Sequence, residues 1–553
     1  MPRPARTPQS VPPRRRARGS ACVAGARLAL ALALAACGSR GARASAGMAP
    51  RGAYTPAQIR QAYEEPALPA HWHGLRPSQA AAFGAGQTIY VFDLYDDPEL
   101  AAEINDFSRS FGLPGCAERN IPVDSVLPLP AASPGAGCTF SMVHANASAG
   151  MRSRAPAYDP RWQDETAADL EWAHASAPLA RLIEVDSAPA DWASALELID
   201  RLGPGVVSMS MIVPEGAAMR KRMFDNANMS YLAGTGDSGS QVNWPAVLPQ
   251  VLGVGGTVLR SYTANARDET VWANAGGGIS RYIAAPGYQA RLGLGMRSVP
   301  DVAMNAGYGQ AVLRIPPAAS SPSGRDICQA PPGTAIPAPG MSAYASAPAG
   351  RCAPVWTSIV GTSLATPEWA GILAVADAER ALSGRGVLGE VQPLLYALLR
   401  RPRLYARMFQ DITSGGNGHG PHTRAATGFD TPSGLGTPKV GALLAYLRDS
   451  PEQVAPIVSP LSVEGEPSRE LSFSVPLSAV EPVRWSLSGA PRGMRIGAST
   501  GVVSWQRPRV GTYRVQAIAT DPRTSLRASA MLRLRIASSR ALTIASAGAS
   551  ALD

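Results

Sequence analysis

Between about residues 86 and 260 the chain alternates short apolar runs with amphipathic runs, which limits the fold more than any other feature. The run TIYVFDLY (88–95) suits one buried strand, and PELAAEINDFSRSFGL after it has the apolar spacing of a helix that starts at a proline. The alternation continues through ARLIEVDS, DWASALELIDRLG, GVVSMSM, GAAMRKRMFDNAN, SYLAGTG and VLGVGGTVL. Such a pattern predicts an α/β fold, in which helices cover both faces of a parallel sheet.

After about residue 450 the pattern changes to short strands separated by turn residues, such as RELSFSVPL, PVRWSLSG, GVVSWQ and GTYRVQAIATD. This predicts a small C-terminal all-β sandwich over 454–537, followed by a flexible tail over 538–553. The segment resembles the Ig-like or cadherin-like repeats that many exported bacterial proteins carry. It contains no cluster of residues that suggests catalysis.

The first 36 residues read as an export signal. Seven arginines and no acids precede Cys37, and LALALALAA (28–36) is an apolar run too short to span a bilayer. LAAC (34–37) is similar to a bacterial lipobox, so 1–36 is expected to be a lipoprotein signal peptide and Cys37 a lipid anchor. The alternative is an ordinary secretory signal. Residues 37–52 are small and glycine-rich, which predicts a flexible tether.

The charge of the chain gives no support to nucleic-acid binding. The formal net charge is +10, but from Cys37 onward the chain has 44 basic and 41 acidic residues. The excess of positive charge therefore lies largely in the signal. We expect contact with the membrane only through the lipid anchor.

Four cysteines remain after Cys22 leaves with the signal and Cys37 takes the anchor: Cys116, Cys138, Cys328 and Cys352. An even number in an exported chain favours disulfides. Of the three possible connectivities, the local pairs 116–138 and 328–352 are the economical choice. A zinc site is the alternative, but no C-x-x-C spacing supports it.

The stretch LAGTGDSGS (232–240) contains Gly-Asp-Ser-Gly, which surrounds the nucleophile of chymotrypsin-like proteases. That mechanism needs an upstream histidine in an Ala-Ala-His-Cys-like setting, and none of the six histidines has one. The upstream region also reads as parallel α/β, whereas chymotrypsin-like proteases are β-barrels. We therefore do not expect Ser238 to be the nucleophile.

Ser363 has a better setting, in VGTSLATPEWAGILAVADAE (360–379). Pro367 lies early in an apolar, helix-periodic run, so a helix should begin just after Ser363. A serine at a helix N-terminus lies close to free backbone N–H groups and to a field that favours an anion. The alternative is a helix cap, a common position for serine.

Gly-Thr-Ser-x-x-x-Pro before an Ala/Gly-rich helix resembles the serine motif that subtilisins and sedolisins share. The chain lacks the histidine motif of subtilisins, and has DETAADLEWAHASAP (164–178) instead. Glu165 and Asp169 there are four residues apart, on one helix face, like the paired acids of sedolisins, the serine-carboxyl peptidases. The alternative is a solvated acidic face. The other matching stretches are YTPAQIRQAY, VVSMSM, TGDSG, NAGGGISRYIAAPGYQ, SVPDVAMNAGYG and DITSGGNG…TGFDTPSGLGTP.

The resemblance covers about 53–449 and implies a subtilisin-like peptidase domain with four catalytic residues. Ser363 would be the nucleophile and Glu165 the base, with Asp169 hydrogen-bonded to Glu165. Asp237 would be protonated and stabilise the oxyanion, which favours low pH. We expect His174 and Asp93 to be structural, since Asp93 has no histidine to orient.

The resemblance also implies one Ca²⁺ ion as cofactor. Its ligands would be the carboxylates of Asp411 and Asp430 and the carbonyls of Ile412, Ala426 and Gly428, which are the hard oxygen donors that Ca²⁺ prefers. The ligands come from two separate loops, so the site is not an EF-hand. The alternative is a pair of ordinary Asp/Gly turns.

Together these features predict an exported, monomeric serine endopeptidase, lipid-anchored or secreted, that hydrolyses peptide or protein substrates. The alternative is an inactive cell-surface binding protein on a peptidase scaffold. The domain is expected to follow the tether directly, without the large propeptide of secreted sedolisins. Val360 and Phe429 are mild departures from the family, which has a small residue and often Trp there.

Overall fold

The computed structural model describes residues 47–48, 52–216, 224, 226, 228–264, 266–317, 354–450, 457–458, 460–478, 483–520 and 527–537. The expected signal peptide, Cys37, Cys328, Cys352 and the C-terminal tail lie outside these residues. Most of the helix predicted at GAAMRKRMFDNAN also lies outside them.

The helices of the described residues lie mainly in the first 450 residues. The α-helices are α1 (Pro56–Ala62), α2 (Pro77–Ala81), α3 (Leu100–Phe111), α4 (Gln163–Ser176), α5 (Trp192–Leu202), α6 (Thr362–Leu382), α7 (Gln392–Ala397), α8 (Pro402–Met408) and α9 (Val440–Asp449), and two 3-10 helices span Gly287–Leu292 and Leu398–Arg400. Among the described residues, none of these helices combines the length and hydrophobicity needed to cross a membrane.

The strands fall into two groups along the chain. The first group is β1 (Gly47–Met48), β2 (Thr88–Leu94), β3 (Ala117–Glu118), β4 (Thr139–Ala145), β5 (Met151–Arg152), β6 (Arg181–Ser187), β7 (Gly205–Met209), β8 (Val213–Pro214), β9 (Met229–Gly234), β10 (Asn243–Trp244), β11 (Val251–Tyr262), β12 (Arg267–Val271), β13 (Gly278–Ala284), β14 (Met296–Val299), β15 (Val302–Asn305), β16 (Gln310–Arg314), β17 (Val355–Ile359), β18 (Phe409–Gln410) and β19 (Thr437–Pro438). The second group is β20 (Ile457–Val458), β21 (Leu461–Gly465), β22 (Leu471–Ser474), β23 (Leu477–Ser478), β24 (Arg484–Ser488), β25 (Met494–Ile496), β26 (Val502–Trp505), β27 (Gly511–Thr520) and β28 (Arg527–Ile536).

A large, mostly parallel sheet forms the centre of the fold. Its order is β1-β11-β9-β7-β2-β6-β4-β3, with β12 and β15 also paired to β11 and β5 paired to β4. The pairs from β11 through β9, β7, β2, β6 and β4 to β3 are all parallel. The carboxyl ends of these strands therefore meet at one edge, as the alternating sequence pattern predicts.

Both faces of this sheet are covered, which explains why β2 is buried along its whole length. Ile89 and Val91 pack in the cluster that contains residues of α4 and α6. Tyr90 and Phe92 point to the opposite face and pack with residues of α5. The near-continuous apolar runs of the sequence follow from this two-sided burial.

The end of helix α4 packs closely against the middle of helix α6. A Cβ on Gly371 of α6 would lie only 2.4 Å from the Cβ of Ser176, so only a glycine fits there without a shift. Near the start of each helix, Ser363 of α6 contacts Glu165 of α4. The two helices therefore run in roughly the same direction, with their N-termini together.

Beyond α9 the described chain forms only β-strands. One sheet has the order β21-β28-β27-β24, another has the order β22-β26-β25, and β20 pairs with β23. Their inner faces share a core that includes Trp485, Trp505, Val515 and Leu532. The C-terminal all-β segment predicted from the sequence is therefore present.

Candidate active site

The first turns of α4 and α6 bring Glu165 and Ser363 into direct contact. The Oγ–H of Ser363 donates a short hydrogen bond to Oε1 of Glu165, 198 positions earlier in the chain. Ser363 is largely buried and Glu165 is half-buried. A serine hydroxyl bonded to a carboxylate is the arrangement that general-base activation of a nucleophile requires.

The start of α6 places free N–H groups beside the hydroxyl of Ser363. The helix begins at Thr362, two residues earlier than the sequence predicted. Ser363 therefore lies in the first helical turn, where backbone N–H groups have no carbonyl of the same helix to bind. Its own N–H is thus available to an oxyanion, and the helix dipole favours negative charge at this end.

Asp169 lies one turn along α4 from Glu165 and is fully buried. Its Oδ1 accepts a hydrogen bond of 2.7 Å from the Oγ of Ser210, which follows strand β7. Its Oδ2 has no hydrogen-bond partner among the described residues. The expected hydrogen bond between Asp169 and Glu165 is therefore not formed. The two acids interact only electrostatically.

Further acids surround Asp169 on the same face of the sheet. Asp93 of β2 and Glu184 of β6 are almost completely buried, and all four of their carboxyl oxygens lack a hydrogen-bond partner among the described residues. Burial raises the pKa of Asp93, Asp169 and Glu184 well above the usual range, and the repulsion among these neighbouring acids raises it further. The sequence predicted only a structural role for Asp93. It did not predict that Asp93 would lie beside Glu165 and Asp169.

The pKa of Glu165 lies at about 7. Burial is the main cause, and the charges of Asp237 and Asp164 add to it, while the hydrogen bond from Ser363 acts in the opposite direction. Glu165 is therefore a stronger base than an ordinary glutamate, whose pKa is about 4.3. A base of this strength matches the proton transfer from a serine hydroxyl better than a solvated carboxylate does.

Asp237 lies on a glycine turn that follows strand β9, next to the start of α6. Its Oδ1 accepts hydrogen bonds from the N–H of Thr362 at 2.9 Å and from the Oγ1–H of Thr362 at 3.0 Å. Gly236 has φ +97°, and a Cβ there would lie 2.4 Å from the Cδ1 of Ile212, so the turn requires glycine. The Gly-Thr-Ser motif of the sequence did not indicate that Thr362 binds Asp237.

The second oxygen of Asp237 points along the start of α6. A Cβ on Gly361 would lie 2.9 Å from Oδ2 of Asp237, so glycine lets the carboxyl approach the backbone before Ser363. Although the residue as a whole is exposed, the desolvation of its carboxyl raises the pKa, and the two bonds from Thr362 partly offset this. Because Oδ1 already accepts two donors, the proton of a neutral Asp237 belongs on Oδ2.

Ser238, the serine of the Gly-Asp-Ser-Gly match, is exposed and lines a cavity of about 670 Å³ together with Gly278, Tyr282 and His422. This cavity adjoins the turn that carries Asp237. The position of Ser238 suits a residue in the wall of a substrate cleft. The serine whose hydroxyl is bonded to a carboxylate base is Ser363.

Cys116 and Cys138 form a disulfide beside the last turn of α4. Nδ1 of His174, in the last turn of α4, lies 3.6 Å from both sulfur atoms, and Nε2 lies 3.0 Å from the carbonyl oxygen of Pro114. Burial lowers the pKa of His174 to about 4, so the ring is neutral near pH 7. This packing agrees with the structural role expected for His174.

The residues expected to bind Ca²⁺ come together in two loops near β18. Oδ2 of Asp411 accepts a hydrogen bond from the N–H of Gly428 at 2.8 Å, and Oδ2 of Asp430 accepts one from the N–H of Ala426 at 2.7 Å. Burial raises the pKa of Asp430 to about 6, and the charge of Asp411 contributes to the shift. The carboxylates of Asp411 and Asp430 repel each other and lie beside the backbone of the two loops. Their oxygen atoms suit a hard cation as ligands. Ile412, the fifth expected ligand, is buried directly after Asp411.

Comparison with curated proteins identifies relatives of this chain. No protein-family model matches it. Kumamolisin from Bacillus sp. (strain MN-32) is 29% identical over 441 residues, which cover 73% of this chain and 65% of kumamolisin. Sedolisin from Pseudomonas sp. (strain 101) is 29% identical over 224 residues, which cover 38% of this chain and 31% of sedolisin. The chain thus spans 65% or less of the length of either relative.

A solved structure shows the same fold. Pseudomonas sedolisin in complex with two molecules of pseudo-iodotyrostatin matches with a TM-score of 0.50 at 22% identity, over 73% of this chain and 99% of that chain. This likeness confirms the subtilisin-like α/β fold class predicted from the sequence. Taken with the sequence similarity to kumamolisin and sedolisin, it supports membership of the sedolisin (serine-carboxyl peptidase) family.

Proposed function

We propose that this protein is an exported serine-carboxyl endopeptidase that hydrolyses peptide bonds in proteins at acidic pH. The observation that carries the proposal is the hydrogen bond from the Oγ of Ser363 to the carboxylate of Glu165. A buried carboxylate with a raised pKa takes the place that histidine has in other serine peptidases. The kinship with kumamolisin and sedolisin supports the same reaction class.

In the first half of the reaction, Glu165 removes the proton of Ser363 while Oγ attacks the scissile carbonyl carbon. The tetrahedral intermediate collapses when the C–N bond breaks, and Glu165 gives its proton to the leaving amine. In the second half, Glu165 takes a proton from water, which attacks the acyl group and releases the acid. Ser363 recovers its proton as the ester bond breaks.

Asp237 stabilises the negative oxygen of the tetrahedral intermediate by donating a hydrogen bond to it. Thr362 holds its Oδ1, so that a proton on Oδ2 can be donated to the oxyanion. The N–H of Ser363 supplies the second donor from the start of α6. An ionised Asp237 would instead repel the oxyanion, so the reaction needs this carboxyl protonated.

These two requirements set the pH range. Glu165 has to be ionised to accept a proton, and because its pKa is about 7, its ionised fraction and the rate fall as the pH drops below about 7. Asp237 has to stay protonated, so the rate also falls as the pH rises through its raised pKa. We therefore expect a bell-shaped profile with a weakly acidic optimum, higher than an unperturbed glutamate base would give.

The cavity beside the Asp237 turn supports an endopeptidase rather than a hydrolase of small esters. Its volume of about 670 Å³ has room for a side chain and adjacent backbone of a polypeptide. Gly278 begins strand β13 at its wall, and the backbone of such a strand can pair with an extended peptide.

We further propose that the protein binds one Ca²⁺ ion through Asp411, Asp430 and the carbonyls of Ile412, Ala426 and Gly428. The neighbouring carboxylates support this, because a bound cation would remove the repulsion between them. The ion would tie the loop after β18 to the loop before β19 and so stabilise the fold. Its role in this proposal is structural.

The N-terminal sequence supports export and, through Cys37, attachment to the cell envelope. The proposed protein is a monomer in which the peptidase region 53–449 is followed by the sandwich 454–537. In the alternative proposal, the scaffold only binds partners at the cell surface. The contact between Ser363 and Glu165 favours the enzyme, since a binding protein has no need of it.

Hydrolysis of a denatured protein substrate by the purified chain tests the proposal. We expect cleavage on the acid side of neutrality and none by Ser363→Ala, which removes only the nucleophilic oxygen. Ser238→Ala is the matched control and should keep most of the activity. Equal activity of the parent and Ser363→Ala, or no cleavage at any pH between about 3 and 8, would exclude this mechanism.

A further inference from the structure

The sandwich carries a strongly basic sheet face that the peptidase chemistry does not use. On the outer face of the sheet β21-β28-β27-β24 lie the exposed side chains of Arg484, Arg514, Arg533 and Arg535, which we call the arginine face. Residues 454–537 contain eleven arginines and five acids, so the positive charge of the mature chain is concentrated here. On the outer face of the neighbouring sheet, the described strand residues include a single exposed arginine, Arg495, beside the exposed Ser472 and Ser474.

The pairing of β27 and β28 places two of these charges directly opposite each other. Arg514 pairs with Arg533, and Arg535 follows two residues further along β28 on the same face. Cross-strand neighbours are about 5 Å apart, and like charges in such pairs destabilise a sheet. The one acid of this outer face among the described strand residues is Glu464, 3.5 Å from Arg535.

The surface between the arginines carries neutral hydrogen-bonding groups beside the apolar side chains of Ile518 and Met531. Thr512, Gln516, Ser529 and Ser488 alternate with inward-facing core residues along their strands. Nε2 of Gln516 donates a hydrogen bond of 2.8 Å to the Oγ of Ser529 across the β27–β28 pair. A sheet face with three arginines near one end, Arg484 at the other and hydroxyl and amide groups between them is suited to an extended surface rather than to a narrow groove.

We infer that the arginine face binds an anionic phospholipid surface through the headgroup phosphates. Guanidinium groups bind phosphate oxygens in a bidentate manner, and the repulsion within the Arg514–Arg533 pair would be relieved when phosphates lie between them. A basic residue near an anionic bilayer strengthens binding about fivefold. This contact would hold the chain at a membrane independently of any acyl group on Cys37.

Vesicle binding tests this inference with the full chain carrying Cys37→Ser, so that no acyl group can be attached there. The probes are vesicles of phosphatidylcholine alone and vesicles in which about a third of the lipid is phosphatidylglycerol. We expect binding only to the second kind, and weaker binding at high salt, because exposed charges are screened. Binding to both kinds alike, or to neither, would overturn the inference.

Two triple variants locate the binding surface. Arg514→Gln/Arg533→Gln/Arg535→Gln should weaken binding on the order of 100-fold. Arg492→Gln/Arg507→Gln/Arg509→Gln removes the same charge from exposed turns, and should weaken binding only a few fold. An equal loss in both variants would overturn the inference, since it would show attraction by net charge alone. Full competition by soluble polyphosphate at equal phosphate concentration would also overturn it, in favour of a soluble polyanion.

Discussion

Thr362 and Asp237 are 125 residues apart in the chain and are joined by two hydrogen bonds, one from the backbone and one from the side chain of Thr362. The Oγ1 of Thr362 also accepts the N–H of Gly236 at 3.1 Å. Thr362, the residue before the proposed nucleophile, thereby fixes both the turn and the carboxyl of Asp237. Two elements that the sequence shows separately, the Gly-Asp-Ser-Gly turn and the Gly-Thr-Ser motif, form one unit.

Substitutions at Asp237 should separate its proton from its position. Asp237→Asn keeps a hydrogen-bond donor that does not titrate, so the alkaline limb of the kcat/KM profile should move to higher pH or disappear. Asp237→Ala loses the donor, and kcat should fall by about 10²–10³. The measurement is kcat/KM of each variant between about pH 3 and 8. An alkaline limb that stays in place in Asp237→Asn would show that another group controls it.

Thr362→Val should reduce kcat by roughly tenfold, because it removes the side-chain bonds to Asp237 and Gly236 but keeps the volume. The bond from Oγ1 lowers the pKa of Asp237, so its loss should also move the alkaline limb upward. Thr362→Ser retains the hydroxyl and is the control for both effects. If Thr362→Val and Thr362→Ser have the same pH profile, the Oγ1–H does not position Asp237.

The buried acids around Asp169 should make the fold less stable as the pH rises. Folding raises the pKa of Asp93, so the folded state favours the protonated carboxyl. The stability gained from this protonation is complete below about pH 4, near the pKa of Asp in the unfolded chain. It is lost as the pH rises through the pKa of Asp93 in the folded protein. Urea unfolding between about pH 4 and 8 measures the effect. Asp93→Asn should match the parent in acid and lose less stability toward pH 8. Parallel curves would show that Asp93 titrates normally.

Removal of Ca²⁺ by a chelator should lower the melting temperature of the protein. A ligand at 100 times its Kd stabilises the fold by about 2.7 kcal/mol, and Ca²⁺ added back should restore this where Mg²⁺ does not. Asp430→Asn weakens one of the two carboxylate ligands, so its melting temperature should respond little to the chelator. A chelator effect of equal size in the parent and in Asp430→Asn would place the ion elsewhere.

The Cys116–Cys138 disulfide should stabilise the fold without taking part in catalysis. It closes a loop with a sequence separation of 22, for which chain entropy predicts about 3 kcal/mol. Cys116→Ala/Cys138→Ala should therefore unfold at lower urea while its kcat/KM stays near that of the parent under native conditions. A reducing agent should then have little further effect on the unfolding of this variant, because the Cys116–Cys138 disulfide is already absent. A large loss of kcat/KM in the folded variant would show that the disulfide positions α4.

The sequence located much of this arrangement because its signals are local. Strand and helix runs alternate with periods that follow from two-sided burial, and the spacing of Glu165 and Asp169 puts both on one helix face whatever the rest of the chain does. The glycines around Asp237 likewise suit a tight turn, and Gly236 has φ +97°. The roles of these residues in catalysis stay predictions.

The rest depended on contacts between distant segments, which no local pattern encodes. Ser210 and Thr362 look like ordinary hydroxyl residues until the fold places one beside Asp169 and the other beside Asp237. The sequence suggests only a structural role for Asp93, but β2 and β6 place it among other buried, desolvated acids. There burial, rather than residue type, sets its pKa. Thus the sequence alone determined the sheet, the helix faces and the candidate acids and nucleophile. Only the tertiary structure decided which groups meet and how far they are desolvated, because both depend on the packing of segments far apart in the chain.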